Sequence, residues 1–516
     1  MQISSAPFPS WSSLLEDAHT RHAARPALLT DAGTMTYADL LDAAGRVAAA
    51  LDDLGVGAGD RVVIALDNSP AMAIVERALA LWGRIRVAVS ARLHPEEIAY
   101  IAANCKASLV LCEPRHLDDD AAGFAAIAVS ARPHPRARLA LADLLDHRGP
   151  PPPRPEARAD DIVSLMYTSG TTGRPKGAIN TQSAWAAMAT GLRRVLPAPG
   201  PGDILLHVAP MSHFSGSVAS AYACSGAAIA TLPRFEPASA LRHAAAIGAT
   251  CMPVVPTMLA DLIRAAESAN APIIPKLRVL PYGGAAVSPD LLRRAASVFG
   301  GVLVQLYGMS EALIPVTCLG MAEHGPGDDE TPRLQSAGRP VQGVSLRLDD
   351  AQDGVGEVCI RGPNVMAGYW DDAARSREAL DQDGWLHTGD LGRIDADGRL
   401  TLVDRRKEVI ITGGFNVYPS EVERVIRGLA GVDDVAVIGI PHERWGEAVA
   451  ALVQPAAGAT ITEAAILNAC RAHLASYKKP LRIEMVAALP RTSTGKIDKR
   501  TLRDAHWAGR SRKIGE

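Results

Sequence analysis

Apolar residues recur along the first hundred positions with two alternating periods. From Ala38 to Leu54 they fall at helical spacing, and the run stops at Gly55. Arg61–Leu66 is a short β-like run, Ala71–Leu81 returns to helical spacing, and Ser108–Cys112 is another short apolar strand. Strands alternating with helices predict an α/β layered domain with mainly parallel sheet. Four consecutive prolines, Pro150–Pro153, read as a stiff connector. The apolar Ile162–Met166 that follows predicts a strand whose end carries a loop, where ligands gather in such sheets.

The alternation continues to about Gly320 and then changes texture. Gly343–Leu348 and Val355–Arg361 look like strands. Leu391–Ile394 and Leu400–Val403 flank Asp395-Ala396-Asp397-Gly398, a hairpin-turn signal. After Arg405 comes a small α+β pattern: strand Val409–Ile411, glycine turn Gly413–Gly414, helix Ser420–Arg427, strand Val435–Ile438. The expected fold is therefore α/β, with a large N-terminal domain over 1–404 and a small α+β C-terminal domain over 405–516. The large domain would hold several subdomains, mainly parallel layered sheets plus a β-rich one.

Composition narrows the function classes. A chain of 516 residues is several times a typical domain of ~150, so two or more domains are expected. Hydrophobic residues make up 48% and charged ones 21%, which suits large cores. A net charge of −3 gives no basic field for nucleic acid or anionic membrane. No basic segment followed by an apolar run opens the chain, so no secretory signal is expected. The mildly apolar Ser217–Leu232 is broken by serine and glycine, which argues against a transmembrane segment. Seven cysteines form no CxxC pair, and their odd number points to reduced thiols in a cytoplasmic protein.

One loop concentrates chemistry. In Tyr167-Thr168-Ser169-Gly170-Thr171-Thr172-Gly173-Arg174-Pro175-Lys176-Gly177, two glycines and four Ser/Thr hydroxyls precede Lys176. Glycine lets backbone approach a ligand, and successive N–H groups with hydroxyls can wrap a polyphosphate, to which lysine adds a positive charge. The P-loop of kinases and GTPases requires Gly before the lysine and Ser/Thr after it, whereas Pro175 and Gly177 stand here. Taken alone, the string also suits a flexible surface loop.

Four further segments follow in order: Tyr307-Gly308-Met309-Ser310-Glu311, Trp385-Leu386-His387-Thr388-Gly389-Asp390, the run from Asp404 to Gly414, and Pro490-Arg491-Thr492-Ser493-Thr494-Gly495-Lys496. With the loop, they resemble the adenylate-forming superfamily: acyl- and aryl-CoA synthetases, luciferases and non-ribosomal-peptide adenylation domains. The resemblance spans essentially the whole chain. It implies that a carboxylate attacks the α-phosphate of ATP, giving an acyl-adenylate and pyrophosphate, so cations and donors must surround the phosphates.

The resemblance also implies roles. Thr168, Ser169, Gly170, Thr171, Thr172, Gly173 and Lys176 would hold the β- and γ-phosphates. Glu311 would help hold Mg²⁺, a hard cation suited to oxygen ligands. Tyr307 and Gly308 would lie at the adenine, and Ser310 stands where relatives usually carry Thr, keeping the hydroxyl. Gly283, Gly284 and Ala285 would line the adenine and acyl sites. Asp390 would bind the ribose, since a carboxylate can receive both cis-diol hydroxyls. Arg405 would contact ribose or phosphate, and Arg406 would be a solvated neighbour. Lys496 would bridge carboxylate and α-phosphate during adenylation. Lys407 would be the hinge of a mobile C-terminal domain, and Gly413 and Gly414 would then approach the acceptor thiol.

His213, Phe214, Val218, Val255, Leu313 and Ile314 are candidates for the acid pocket, and all but Phe214 also suit ordinary packing. Amino-acid-activating relatives usually place Asp where Phe214 stands, so an apolar ring argues against an α-amino acid. Trp82-Gly83-Arg84-Ile85-Arg86 replaces small apolar residues that relatives often carry, and the sequence gives the two arginines no role. The implied activity joins an apolar or aromatic acid to coenzyme A with ATP and Mg²⁺. The alternative acceptor is the pantetheine of a separate carrier protein. A luciferase-like oxidase has no sequence support, and the intact Lys176, Glu311, Asp390, Lys407 and Lys496 argue against an inactive scaffold.

Overall fold

The computed structural model describes residues 9–118, 124, 126–168, 175–268, 274–325, 330–412, 415–492 and 495–508. They fall into two units. The first takes Met1–Arg347, Cys359–His387 and Asp395–Thr401; the second takes Leu348–Val358, Thr388–Ile394 and Leu402–Glu516.

The largest described sheet has seven strands, in the order Leu139–Ala140, Ile127–Ser130, Leu109–Cys112, Arg61–Ala65, Ile85–Ala88, Ile162–Thr168, Lys176–Thr181. Neighbours run parallel except the last two, an antiparallel hairpin that closes on Thr168↔Lys176. Val62 to Ala65 and Val110 are fully buried, so these strands are covered on both faces, as parallel sheet requires. Continuous apolar runs, rather than alternation, mark them for that reason.

The covering helices begin where capping chemistry allows. Thr36 and Asp39 form a reciprocal capping box that opens Tyr37–Asp53, and Ser69 caps Pro70–Leu81 with proline at its first position. The proline connector is laid against this layer: Trp82 Nε1 donates to the Pro152 carbonyl at 2.8 Å, and the Arg154 guanidinium lies 4.9 Å over the Trp82 ring. Arg84 acquires a structural role here. Its buried guanidinium donates to the carbonyls of Val56, Ala48 and Trp82, tying the end of one helix to the strand that follows the next.

Two four-stranded sheets complete the first unit's layers. One runs Ile204–His207, Ala228–Thr231, Pro26–Thr30, Gly33–Thr36; the other runs Leu280–Gly283, Leu303–Met309, Ala312–Leu319, Arg339–Pro340. The apolar stretch Ser217–Leu232 is divided between the helix Phe214–Ala223 and the strand Ala228–Thr231. Among the described residues no helix is long and apolar enough to cross a membrane. All seven cysteines are free thiols; Cys224 and Cys318 are partly exposed and the other five buried.

A further four-stranded sheet runs Ser345–Gln352, Val355–Arg361, Leu386–Ile394, Leu400–Arg405, matching the β-rich texture of the sequence. In the second unit, Phe415–Val417, Ile410–Thr412, Gly446–Pro455 and Val432–His442 form a sheet that Arg482–Met485 joins in parallel. The helix Pro419–Arg427 buries Val422 and Ile426 in a core with Val435, Val437, Val449 and Ile466. The strand expected over Val435–Ile438 extends over eleven residues, because its long antiparallel partner continues the ladder from Val432 to His442.

Candidate active site

The antiparallel hairpin carries the glycine-rich loop at its tip. Ser169, Gly170, Thr171, Thr172 and Gly173 lie outside the described residues, as do Gly413 and Gly414. Thr168 ends the first strand and Lys176 begins the second. On the far flank, the Tyr100 hydroxyl donates to the Pro175 carbonyl at 3.3 Å.

Lys176 and Glu311 meet through a residue that the sequence reading missed. Lys176 Nζ stands 4.9 Å from the ring centre of Tyr369, and the Tyr369 hydroxyl donates to Glu311 Oε1 at 3.0 Å. Glu311 is only 9% exposed. The segment carrying Tyr369 lies between two strands. Trp370 N donates to Gly177 O, and Met366 N to Glu311 O. Asn180 Nδ2 reaches the Ser310 carbonyl at 3.2 Å, a second tie between the loop strand and the turn before Glu311. The sequence signal for Tyr369 was a single Gly-Tyr-Trp string without periodicity.

Tyr307 is buried on the strand Leu303–Met309, opposite Thr317, with Gly308 and Ser310 leading into the turn. Gly283 ends its strand beneath a ring: a Cβ there would lie 2.4 Å from the Leu306 carbonyl and 2.9 Å from the Phe214 ring, so only glycine fits. Gly284 and Ala285 follow at the exposed strand end.

The segment before Phe214 is clamped by several side chains. Asn68 accepts from Met211 N at 2.8 Å and donates to Ala209 O at 2.9 Å. Arg86 donates to the Met211 carbonyl at 3.2 Å, pairs with Glu76 and lies 5.7 Å from the Trp185 ring centre. That gives Arg86 the role the sequence withheld: it fixes the backbone two residues before His213. At Gly216 a Cβ would lie 1.9 Å from the Met211 carbonyl, so the helix start packs directly on the clamped segment. His213 Nδ1 shares a 2.6 Å hydrogen bond with Ser212 Oγ. Nearby, buried His207 shares a 2.7 Å bond with Ser215, and burial lowers its pKa to about 3, keeping it neutral. Val218, Leu313 and Ile314 are buried, and Val255 is partly exposed.

The second unit gathers a different set. Asp390 Oδ1 pairs with Arg405 Nε at 3.2 Å. Lys496 retains exposed surface, yet the protein around its ammonium lowers its pKa, through desolvation first and then Arg405, with Asp390 and Glu408 opposing. Three residues singled out by motif, Asp390, Arg405 and Lys496, thus share one electrostatic neighbourhood. Arg406 is more than a solvated neighbour. It pairs with buried Glu357 at 2.8 Å, and Glu357 accepts from Gly389 N at 2.9 Å, fixing the turn before Asp390.

Lys407 lies exposed in the turn between Leu400–Arg405 and Ile410–Thr412, and its carbonyl accepts from Arg503 at 3.1 Å. Beside it, Lys499 binds Glu423 at 2.8 Å and Glu408 at 3.2 Å. Burial pushes the Asp404 carboxyl up to about 6, against the pull of Lys499 and hydrogen bonds from Ser420 N and Arg405 N.

The AMP-binding enzyme family model matches residues 15–370, and that of the AMP-binding enzyme C-terminal domain matches 421–496, ending on Lys496. The chain belongs to the AMP-binding enzyme family. It is an adenylate-forming enzyme of the acyl-CoA synthetase type, an acid–thiol ligase. It is 35% identical to a feruloyl-CoA synthase of Amycolatopsis sp, over 91% of this chain and 93% of that one. A fatty acid–[acyl-carrier-protein] ligase, ScoC of Streptomyces coeruleorubidus, is 33% identical over 96% of both chains. Among solved structures, ATP-bound MatB from Rhodopseudomonas palustris superposes with a TM-score of 0.85 at 30% identity, covering 96% of this chain and 98% of that one.

Proposed function

We propose that the protein activates an apolar or aromatic monocarboxylate with ATP and transfers the acyl group from the adenylate to the thiol of coenzyme A. The observation that carries the substrate class is the Phe214 ring lying against Gly283, with an apolar face where amino-acid-activating relatives place a carboxylate. Without that carboxylate an α-ammonium would be desolvated and unpaired, which is costly. The activity named for the feruloyl relative supports the reading.

In this scheme Lys176 and the loop from Thr168 to Gly173 hold the β- and γ-phosphates, and Tyr307 and Gly283–Ala285 border the adenine. Asp390 receives the ribose hydroxyls beside Arg405. Lys496 meets the negative charge that builds as carboxylate approaches phosphate, and its lowered pKa reflects an ammonium already partly stripped of water. His213, Phe214, Val218, Val255, Leu313 and Ile314 border the acid.

Glu311 fits a Mg²⁺ ligand: its shielded carboxylate offers hard oxygen donors, with phosphate oxygens and water to complete the shell. Bound there, the cation would neutralise phosphate charge. Lys407 is assigned as the pivot at the boundary between domains 1–404 and 405–516, which lets the Gly413–Gly414 loop replace Lys496 for thioester formation.

The carrier-protein alternative keeps specific support from the similarity to ScoC over nearly the full chain. An ATP–pyrophosphate exchange panel of benzoates, phenylpropanoids, fatty acids and amino acids tests the substrate class. Exchange only with a proteinogenic amino acid would refute it. Supplying the accepted acid with CoA, then with a phosphopantetheinylated carrier protein, decides the acceptor.

A further inference from the structure

Given the assignment of Glu311 to Mg²⁺ and Lys176 to phosphate, we propose that Tyr369 is a positioning residue that sets both side chains for Mg·ATP. Its two polarities are used at once. The hydroxyl edge donates to Glu311 Oε1 at 3.0 Å, while the electron-rich face receives the Lys176 ammonium at 4.9 Å. A carboxylate anchored through one oxygen has less rotational freedom left to lose when a cation binds.

The tyrosine is itself held from three sides. Its backbone bridges to Ala178, and Ile179 N donates to the Gly368 carbonyl at 2.9 Å, locking it to the strand that starts at Lys176. Met366 N donates to the Glu311 carbonyl and Leu313 N to the Asn364 carbonyl, both at 2.9 Å, locking the same segment to the strand beyond Glu311. Tyr369 N donates to Ser376 Oγ at 2.8 Å, and that hydroxyl donates to Asp372 O at 2.7 Å. Residues 364–370 therefore form a brace between the two cluster-bearing strands, with Tyr369 at the point where both polar groups converge.

Two substitutions separate the two contacts. Tyr369→Phe keeps the ring face for Lys176 and removes only the donor to Glu311; Tyr369→Leu removes both. The readout is the affinity of a fluorescent ATP analogue, titrated once with Mg²⁺ and once with a chelator. For Tyr369→Phe, the gain in affinity conferred by Mg²⁺ should fall about tenfold, the size of one charged hydrogen bond, with chelated affinity unchanged. Tyr369→Leu should lose the same gain and also bind the chelated nucleotide about two- to fivefold more weakly. Wild-type Mg²⁺ gain in Tyr369→Phe overturns the proposal.

Glu311→Gln distinguishes the layers of the argument. If it also keeps the full gain, the metal assignment fails and the tyrosine's role falls with it. If it loses the gain while Tyr369→Phe keeps it, only the tyrosine's role is refuted. The double variant Tyr369→Phe/Glu311→Gln should lose no more than Glu311→Gln alone, and additive losses would count against coupling. This cycle needs only near-isosteric variants, so it decides the matter even where Tyr369→Leu fails to fold.

Discussion

Lys176 is the first residue of a sheet strand, while Lys496 stands in a turn near the chain's end, and the two are held by opposite means. Around Lys176 the partners are backbone ladder bonds and an aromatic face, on a brace fastened at both edges. Around Lys496 they are charges of both signs: Arg405 disfavours the ammonium, and Asp390 and Glu408 favour it. Backbone register is insensitive to salt and fixes one position. Opposed side-chain charges are screened by salt and exchange partners cheaply. A group that binds phosphates throughout the reaction suits the first design. A group required for one half-reaction and withdrawn for the other suits the second.

The largest expected effect tests the lysine in the charged neighbourhood. Lys496→Ala should slow acid-dependent pyrophosphate exchange by ~10²–10³, the usual loss for one preorganised group at developing charge. Thioester formation from a supplied acyl-adenylate should be largely retained. Normal exchange in the variant would remove Lys496 from the adenylation step.

Next comes the turn at Lys407, proposed above as the pivot. Proline fixes φ near −65°, so Lys407→Pro should restrict the rotation. Thioester formation should fall by about 10², as expected for reacting groups held out of place, while pyrophosphate exchange survives. A folded variant that retains both half-reactions would relocate the hinge and weaken the contrast between a fixed and a movable lysine.

The smallest effect concerns the ionic cluster beside Lys407. Burial raises Asp404 to about 6, above the ordinary carboxylate value near 3.9, so the folded state takes up its proton more readily than the unfolded one. The stability this contributes is present below pH ~4 and is lost as pH rises through about 6. Asp404→Asn removes the titration. In urea unfolding from pH 4 to 7, the stability of the variant relative to wild type should rise with pH, by roughly 1–2 kcal/mol after allowance for screening. A pH-independent difference would show that Asp404 does not titrate in this window.

The same contrast explains what could be read in advance. Helices such as Tyr37–Asp53 and Pro70–Leu81 were legible because cap, period and stop residue lie within twenty positions of one another. The motifs that carry the family resemblance were legible because glycines, hydroxyls and a lysine crowd into short strings. Tyr369 was not, since its partner Glu311 lies 58 positions away and the Gly-Tyr-Trp string shows no period. Arg86 was equally opaque, because the Met211 carbonyl it holds is 125 positions away and any backbone carbonyl looks alike in a sequence.

By itself, then, the sequence determined the motifs of the family and the order of strands and helices that carries them. Local rules suffice for this, since side-chain charge, backbone freedom and hydrophobic period are properties of neighbouring residues. Only the tertiary structure decided the company those groups keep. It set Lys176 on the face of Tyr369, Glu311 beneath its hydroxyl, Phe214 against Gly283 and Lys496 among Asp390, Arg405 and Glu408. Those adjacencies arise from sheet pairing and buried packing between distant segments, whose energy depends on shape complementarity in three dimensions and leaves no periodic trace along the chain.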